Sequence, residues 1–211
     1  MTMGSISFRE HIAWHPDAPS EPTSTIVLTS PGRRFVDLRI FKSGPNGEQD
    51  LHGTDRLEWG IAGTSSSSMI PDGKGGEIRH SRWKHWIDSR TAEPENAADE
   101  GDMFPQEGEL TLEKGRMVNP ATGKECDYEE LWRDVDPQPV ADGKDVEYVV
   151  LQFEDESSRA RGEVVWLGRF CQGISKVGES VTAERWEWKD EGWRRTVHQY
   201  FGNFVADMPG M

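Results

Sequence analysis

Polar side chains that could do chemistry lie in or beside apolar, tryptophan-containing runs of this sequence. Arg169 stands between Gly168 and Phe170, and Arg185 directly precedes Trp186. Donors in such surroundings could project into a hollow and hydrogen-bond the carbonyl group of a bound molecule. In the alternative interpretation each side chain points to solvent or pairs with a neighbouring acid. The residues of this kind are Arg39, Arg82, Arg169, Arg185, His198 and Tyr200.

Four of these residues are predicted to be catalytic: Arg169, Arg185, His198 and Tyr200. The aromatic residues of the same runs are predicted to bind the substrate, although such side chains also serve as ordinary core. An aromatic wall with a few donors suits a flat, apolar small molecule. The predicted wall consists of Trp59, Trp83, Trp166, Phe170, Trp186 and Trp188.

Metal and nucleophile chemistry find no support in the spacing of the residues. His80 and His85 are five apart on a predicted strand and so face opposite sides, while Pro16 ends any helix that could align His11 with His15. The sequence contains no HExxH, CxxC or G-x-S-x-G motif. We therefore expect no metal ion and no cofactor.

The composition narrows the class of protein. The chain has 211 residues, nine Trp and a net charge of −14, which disfavours nucleic acid and anionic membrane surfaces as partners. No apolar run is long enough to span a membrane, and Cys126 and Cys171 are expected to be buried free thiols. We expect a cytoplasmic protein that binds a small molecule, and its acidic surface would allow a homodimer or a protein partner.

A period of two residues dominates the chain and predicts β-strands. In "RFVDLRIF", Val36, Leu38 and Ile40 fall on one face and Asp37 and Arg39 on the other. Later runs include "EYVVLQFE", "EVVWLGRF", "VTAERWEWK" and "WRRTVHQYF", of which the last two are joined by the turn signal "DEG".

Two short helices are also predicted. "SISFREHIAW" has the spacing of a capping box, and "CDYEELWRDVDP" offers Asp127 as a cap with Glu130 three residues later. The second predicted helix covers 127–135 and ends before Pro137. Its apolar face would consist of Tyr128, Leu131, Trp132 and Val135.

Paired tryptophan and glycine residues recur in the two halves of the chain, as "LEWGIAG" and "VVWLGRFCQG". Glycines inside strands mark bulges and bends, which a small sheet needs in order to close. We predict an all-β protein of two antiparallel β-barrels, with an N-terminal domain of 1–98 and a C-terminal domain of 99–211. The boundary lies in the acidic segment 92–109. One continuous sandwich is the alternative.

The motifs "LEWGIAGT", "WIDSRT", "ELWRDVDP" and "GRFCQG", in this order, resemble the fungal HRI protein family, from about Phe35 to Trp193. The resemblance implies a pair of lipocalin-like (calycin) barrels and no established catalytic residues. It also implies similarity of fold to the hetero-Diels–Alderases of fungal tropolone-sesquiterpenoid secondary metabolism. The predicted function is cofactor-free cycloaddition, a pericyclase activity. The alternative is a non-catalytic ligand-binding or protein-interaction module.

Overall fold

The structure, a computed structural model, describes residues 4–42, 56–141 and 143–199, which are mostly β-strand. Its first eight strands are β1 Ser5–Trp14, β2 Thr23–Thr29, β3 Arg34–Phe41, β4 Leu57–Pro71, β5 Glu77–Asp88, β6 Ala98–Pro105, β7 Leu110–Asn119 and β8 Lys124–Val135. Each strand pairs antiparallel with the next, and β8 pairs with β1 to close a barrel. A 3₁₀ turn, Pro94–Asn96, lies between β5 and β6.

A second, five-stranded antiparallel sheet follows. It contains β9 Tyr148–Asp155, β10 Ala160–Leu167, β11 Phe170–Val177, β12 Ser180–Lys189 and β13 Gly192–Gln199 in the order β13-β12-β11-β10-β9. Asp190 and Glu191 join β12 to β13, and both have positive φ, at 50° and 58°. This conformation matches the twist of the flanking strands. The predicted hairpin and the predicted all-β class with a closed barrel are therefore confirmed.

Both predicted helices are wrong, because the segments are strands β1 and β8. Along β8 the buried side chains alternate, with Tyr128, Glu130 and Trp132 facing the barrel interior. The period of two is hidden by Glu130, because an acid is not expected on a buried face. Without Glu130, the remaining apolar residues fit a helical spacing. Pairing with β1 and β7 supplies the backbone hydrogen bonds that the isolated segment would have satisfied as a helix.

The predicted boundary between residues 98 and 99 falls at the start of β6, whereas the closed barrel continues to Val135. The acidic segment 92–109 has the composition of a linker, yet it supplies β6. In that strand Gly101 and Met103 are buried, whereas Asp99, Glu100 and Asp102 are more exposed. Alternation along a strand can therefore hide in a segment rich in acids and poor in apolar residues.

Gly63 marks a bulge in β4, as expected for a glycine in a tryptophan-containing strand. The register with β5 shifts between Ala62 and Gly63. A Cβ at Gly63 would lie 2.0 Å from the Lys84 carbonyl oxygen, so no larger residue fits there. The bulge bends the longest strand of the barrel where the sheet curls closed.

The largest apolar cluster lies outside the barrel, between its wall and the second sheet, and a smaller one that includes Phe35 and Trp132 lies inside the barrel. Val36, Leu38 and Ile40 point outward from β3 and pack in one cluster with Val165, Leu167 and Ile174. The alternate residues of β3, Asp37 and Arg39 among them, point into the barrel and line its cavity. The sequence therefore divides β3 correctly into two faces. The face that carries Asp37 and Arg39 is the one inside the barrel.

Polar side chains of the second sheet clamp this interface to the barrel backbone. Gln172 Nε2 donates to the carbonyl oxygens of Ile26 (2.9 Å) and Val36 (3.0 Å). Arg185 donates to the Leu38 carbonyl at 2.7 Å and to Gln172 Oε1 at 2.6 Å. Burial lowers the pKa of Arg185 to about 10, so the group stays charged at neutral pH. The clamp satisfies polar groups that the interface would otherwise bury unpaired.

We expect Arg185→Ala to lower the free energy of unfolding by about 3 kcal/mol or more, because it leaves a cavity and removes the partner of Gln172. Urea unfolding followed by circular dichroism measures the loss. Arg194→Ala, at an exposed position of the same sheet, is the control and should change stability little. Equal stability of the two variants would contradict the structural role of Arg185.

Candidate functional site

A cavity of about 150 Å³ lies inside the barrel. Its wall combines charged and aromatic side chains, including Asp37, Arg39, Glu113, Glu130, Trp83 and Trp132. Exposed residues, among them Arg33, Arg79, Ser66 and Ser67, also line it and mark its mouth. An eight-stranded barrel leaves an interior that side chains fill or that holds one small ligand.

Charged residues inside the barrel form a connected network. Glu130 Oε1 accepts hydrogen bonds from Arg9 Nη1 at 2.5 Å and from Arg39 Nη1 at 3.4 Å. Arg9 Nε also donates to Glu21 at 2.8 Å, and Arg39 Nε donates to Asp37 Oδ2 at 3.0 Å. The network thus joins β1, β3 and β8 across the interior.

One carboxylate oxygen of this network is unused. Asp37 Oδ1 is buried and has no hydrogen-bond partner among the described residues, although the side chain is 6% exposed and lines the cavity. Burial raises the pKa of Asp37, while the Arg39 and Arg9 guanidinium groups oppose the rise. Arg39 uses only Nε and Nη1 in hydrogen bonds within the described part of the chain. The cavity wall therefore has both an acceptor and a donor to spare.

Glu113 is a second buried acid of the cavity. Its Oε1 lies 2.7 Å from Tyr128 Oη, and its Oε2 accepts from Trp132 Nε1 at 3.0 Å. Gly101 and Gly115 stand opposite each other in register. A Cβ on Gly101 would lie 2.6 Å from Glu113 Cγ, and one on Gly115 would lie 2.5 Å from Tyr128. The glycine pair makes the room for this acid and this phenol.

Burial, reinforced by the charge of Glu130, raises the pKa of Glu113 to about 8. The acid is therefore mostly protonated at neutral pH. Its proton can be donated to Tyr128 Oη, whose own hydrogen points to the Glu100 carbonyl at 3.3 Å. Every polar atom of the group then has a partner, which explains how an acid is tolerated at this depth.

A third polar group lies next to the network, around His85. His85 Nδ1 is 2.9 Å from Asp88 Oδ2, and Trp59 Nε1 donates to Asp88 Oδ1 at 2.8 Å. Burial opposes a charge on the imidazole, but Asp88 and Asp99 outweigh it and raise the pKa of His85 to about 9. The Arg39 guanidinium stacks on the Trp59 ring at 4.8 Å, which connects this group to the cavity network.

The predicted site residues are divided among several places. Trp59 and Trp83 belong to the barrel interior, and Trp83 lines the cavity. Arg185 lies buried in the clamp, and Phe170 packs edge-on against Phe8 at 5.8 Å in the same interface. Arg169 is in the β10–β11 turn and donates to the Pro139 carbonyl at 2.7 Å.

The remaining predicted residues meet on the face of the second sheet that points away from the barrel. Trp193 packs edge-on against Trp166 at 5.9 Å and against Trp188 at 5.7 Å. Glu184 binds Trp186 Nε1 at 3.0 Å and His198 Nδ1 at 2.7 Å. Tyr200 lies outside the described residues. The face is an aromatic cluster around a buried carboxylate, apart from the barrel cavity.

Two other candidate residues also have ordinary partners. Arg82 is on the outside of the barrel, 3.8 Å from Glu100. Cys171 is a buried thiol, and burial raises its pKa, which disfavours a role as a nucleophile. Within residues 4–42, 56–141 and 143–199, no group of three or more His, Cys, Asp or Glu is placed to hold a metal ion. No described helix is long and apolar enough to cross a membrane.

The cavity residues that sequence reasoning missed are Arg9, Asp99, Glu113, Tyr128, Glu130 and Trp132. A signal existed for some of them. Tyr128, Glu130 and Trp132 alternate in the sequence as Asp37 and Arg39 do, and this period of two is typical of residues that share one face of a strand. For Glu113 no local pattern distinguishes a buried acid from an exposed one.

We expect Glu113→Gln to stabilise the protein increasingly from about pH 4.5 to about pH 8, after which the gain levels off. The unfolded chain releases the Glu113 proton near its ordinary pKa of 4.5, whereas the folded protein holds it to about pH 8. Folding of the wild type therefore becomes less favourable across this window. Glutamine has no such proton to lose and keeps a donor for Tyr128. The gain should reach about 2–4 kcal/mol at pH 9.

Urea unfolding of both proteins between pH 5 and pH 9 measures this difference. The exposed Glu107→Gln is the matched control, and its stability should follow that of the wild type at every pH. A Glu113→Gln gain that does not change with pH would show that the acid is ionised in the folded protein.

Comparison with known proteins agrees with this architecture. The family model described as Protein HRI1 matches residues 5–210. A solved structure of an uncharacterized protein, YLR301w, from Saccharomyces cerevisiae is similar with a TM-score of 0.72 and 20% identity, over 100% of this chain and 90% of that chain. No curated protein matches the chain. At this identity the yeast structure supports the fold alone, while the family model covers nearly the whole sequence, and the chain therefore belongs to the HRI1 family.

Proposed function

We propose that this protein binds a small, polar aromatic molecule in the cavity of its N-terminal barrel. The observation that carries the proposal is Asp37, which lines a cavity of about 150 Å³ and whose buried Oδ1 has no hydrogen-bond partner among the described residues. An unpaired buried oxygen costs about 1–3 kcal/mol. A ligand that donates a hydrogen bond to Asp37 would recover that free energy on binding.

The cost of the charged interior supports the same proposal. Buried ion pairs rarely stabilise a fold more than well-packed apolar residues of the same volume. The hydrogen bonds of this network instead hold charged side chains in place next to the cavity, namely those of Arg9, Arg39, Asp37 and Glu130. Such an arrangement is typical of a site that is organised before its ligand arrives.

The size and lining of the cavity favour one ring-sized guest. An engineered apolar cavity of about 150 Å³ accommodates benzene, and the cavity here has a similar volume. Phe35, Trp83 and Trp132 line it and would contact the ring. Asp37 and Arg39 would hydrogen-bond its polar substituent. The charged lining favours a hydroxylated or amino-substituted ring over the apolar guest expected from the sequence.

We expect phenol to bind at least about tenfold more tightly than toluene, because only phenol donates a hydrogen bond to Asp37. Isothermal titration calorimetry measures both affinities. Asp37→Asn should remove most of the preference for phenol. Asp102→Asn, which alters an acid that contacts His80 on the barrel exterior, should preserve it. Equal affinity for phenol and toluene in the wild type would contradict the proposal.

A mouth variant separates ligand entry from folding. Ser67 lines the cavity mouth, and Ser68 is the exposed next residue of the same strand, which does not line it. We expect Ser67→Phe to weaken phenol binding by about tenfold or more through steric blockage, while Ser68→Phe binds like the wild type. Both should unfold at similar urea concentrations. Identical binding by the two variants would place the ligand elsewhere.

Catalysis of an intermolecular hetero-Diels–Alder cyclisation is the second candidate function. Arg39 lines the same cavity as Trp83 and Trp132, which favours this function, since such a reaction needs a donor on one carbonyl and two partners held face to face, without a cofactor. Binding ranks first because the cavity volume suits one ring more readily than two partners. The cyclisation would require the partners to meet at the mouth.

The test of this second function is incubation with a generated tropolone quinone methide and a humulene-type alkene. Acceleration by the wild type and by Ser68→Phe, but not by Ser67→Phe, would support cyclisation in the cavity. A rate equal to that without protein, together with phenol binding, would leave ligand binding as the function.

A further inference from the structure

The mouth of the cavity contains two arginines without acidic partners, which bears on the class of ligand. Arg33 and Arg79 both line the cavity and are exposed. Within the described part of the chain neither guanidinium forms an ion pair or a hydrogen bond. By contrast, carboxylates pair with many other arginines, including Arg9, Arg34, Arg39, Arg90, Arg116 and Arg133.

Arg33 also occupies a backbone conformation that arginine does not favour. Its φ is 66° in the turn between β2 and β3, and a non-glycine residue in this region costs about 1–2 kcal/mol. Gly32 directly precedes it, so the turn does not place its glycine at the position with positive φ. The backbone strain therefore falls on Arg33, a residue whose side chain lines the cavity mouth.

Serine residues line the same opening. Ser67 Oγ lies 2.9 Å from Ser81 Oγ, and the Ser65 backbone amide donates to the Arg33 carbonyl oxygen at 2.9 Å, which fixes the turn at the mouth. Serine hydroxyls and guanidinium groups together are donors that suit a carboxylate. No acid has to be displaced from Arg33 or Arg79 for such a ligand to bind.

The distance from the mouth to Asp37 suits a single substituted ring. Arg33 lies in the turn just before β3, and Asp37 is the fourth residue of β3, about 10 Å from the first residue along the extended strand. The Arg33 and Asp37 side chains both line the cavity. A ring with a donor at one end and an anionic group at the other would bridge a span of this order.

We propose that the cavity binds a small organic acid, with its carboxylate held by Arg33 and Arg79 at the mouth and a hydroxyl or ammonium group donating to Asp37 at the inner end. This inference rests on the proposed function and narrows its ligand to a class. The mouth requires a negative charge on the ligand and the inner end requires a hydrogen-bond donor, so each requirement can be tested with a matched pair of probes.

The probes are 3-hydroxybenzoate, 3-hydroxybenzyl alcohol and benzoate, titrated calorimetrically into the wild-type protein at low ionic strength. We expect 3-hydroxybenzoate to bind about tenfold more tightly than the alcohol, which lacks the charge. It should also bind about tenfold more tightly than benzoate, which lacks the donor for Asp37. The advantage over the alcohol should shrink as salt increases, because both arginines are exposed.

Variants at the mouth test the assignment of the charge. Arg33→Gly and Arg79→Gln should each reduce the preference for the acid over the alcohol. Arg33→Gly should unfold at the same temperature as the wild type or a higher one, since glycine relieves the positive φ. The control is Arg82→Gln, which changes an arginine on the outer face of β5 beside Glu100 and should retain the full preference.

The outcomes separate this inference from the function on which it rests. Phenol binding with equal affinities for the acid and the alcohol would overturn the inference and leave the proposed function standing. Tight 3-hydroxybenzoate binding that survives both mouth substitutions would also overturn it, because the charge would then be recognised elsewhere. Absence of phenol binding as well would overturn both.

Discussion

Glu130 is the carboxylate on which the barrel interior depends. From β8 it accepts hydrogen bonds from Arg9 on β1 and from Arg39 on β3, so it ties the closing pair of strands to β3. A lone acid at this depth would be protonated or would open the barrel to water, and either arginine alone would be an uncompensated buried charge. The interior is therefore an all-or-none polar assembly. It fixes the orientation of three strands and keeps side chains from collapsing into the central space.

Hydrophobic free energy comes from two places in this fold. A small apolar cluster lies inside the barrel beside the charged network, formed by Val27, Phe35, Trp59, Ile61 and Trp132. A larger one lies on the outer wall, where Val36, Leu38 and Ile40 pack against the second sheet. Gln172 and Arg185 cross this interface to the backbone carbonyls of β2 and β3. The second sheet thus covers the apolar outer face of the barrel. The hydrogen bonds of Arg185 go to Gln172, Ser24 and Leu38 and hold this interface together. This structural role argues against the predicted catalytic role of Arg185.

The open space inside the barrel follows from the same constraint. Charges held by mutual hydrogen bonds do not pack to the density of an apolar core, and Asp37 Oδ1 is left over when Arg39 serves both Asp37 and Glu130. The protonated Glu113 with Tyr128 and Trp132 completes the wall without adding charge. Proposals for a ligand therefore start from the unpaired groups, Asp37 within and Arg33 and Arg79 at the mouth, rather than from the tryptophans that dominate the sequence.

Strand periodicity, the hairpin at Asp190 and Glu191, and membership of the HRI1 family were readable from the sequence alone, because they depend on local alternation, turn chemistry and ordered motifs. Local pattern could not decide which face of β3 lies inside, since the same alternation serves a barrel with an apolar or a polar interior. Nor could it identify β8 as a strand, because Tyr128 and Trp132 satisfy a helical spacing as well as a period of two. Only the closure of β8 onto β1, and the second sheet that covers the outer wall, decided these questions. Both are contacts between residues distant in the chain, and their free energy outweighs local propensity.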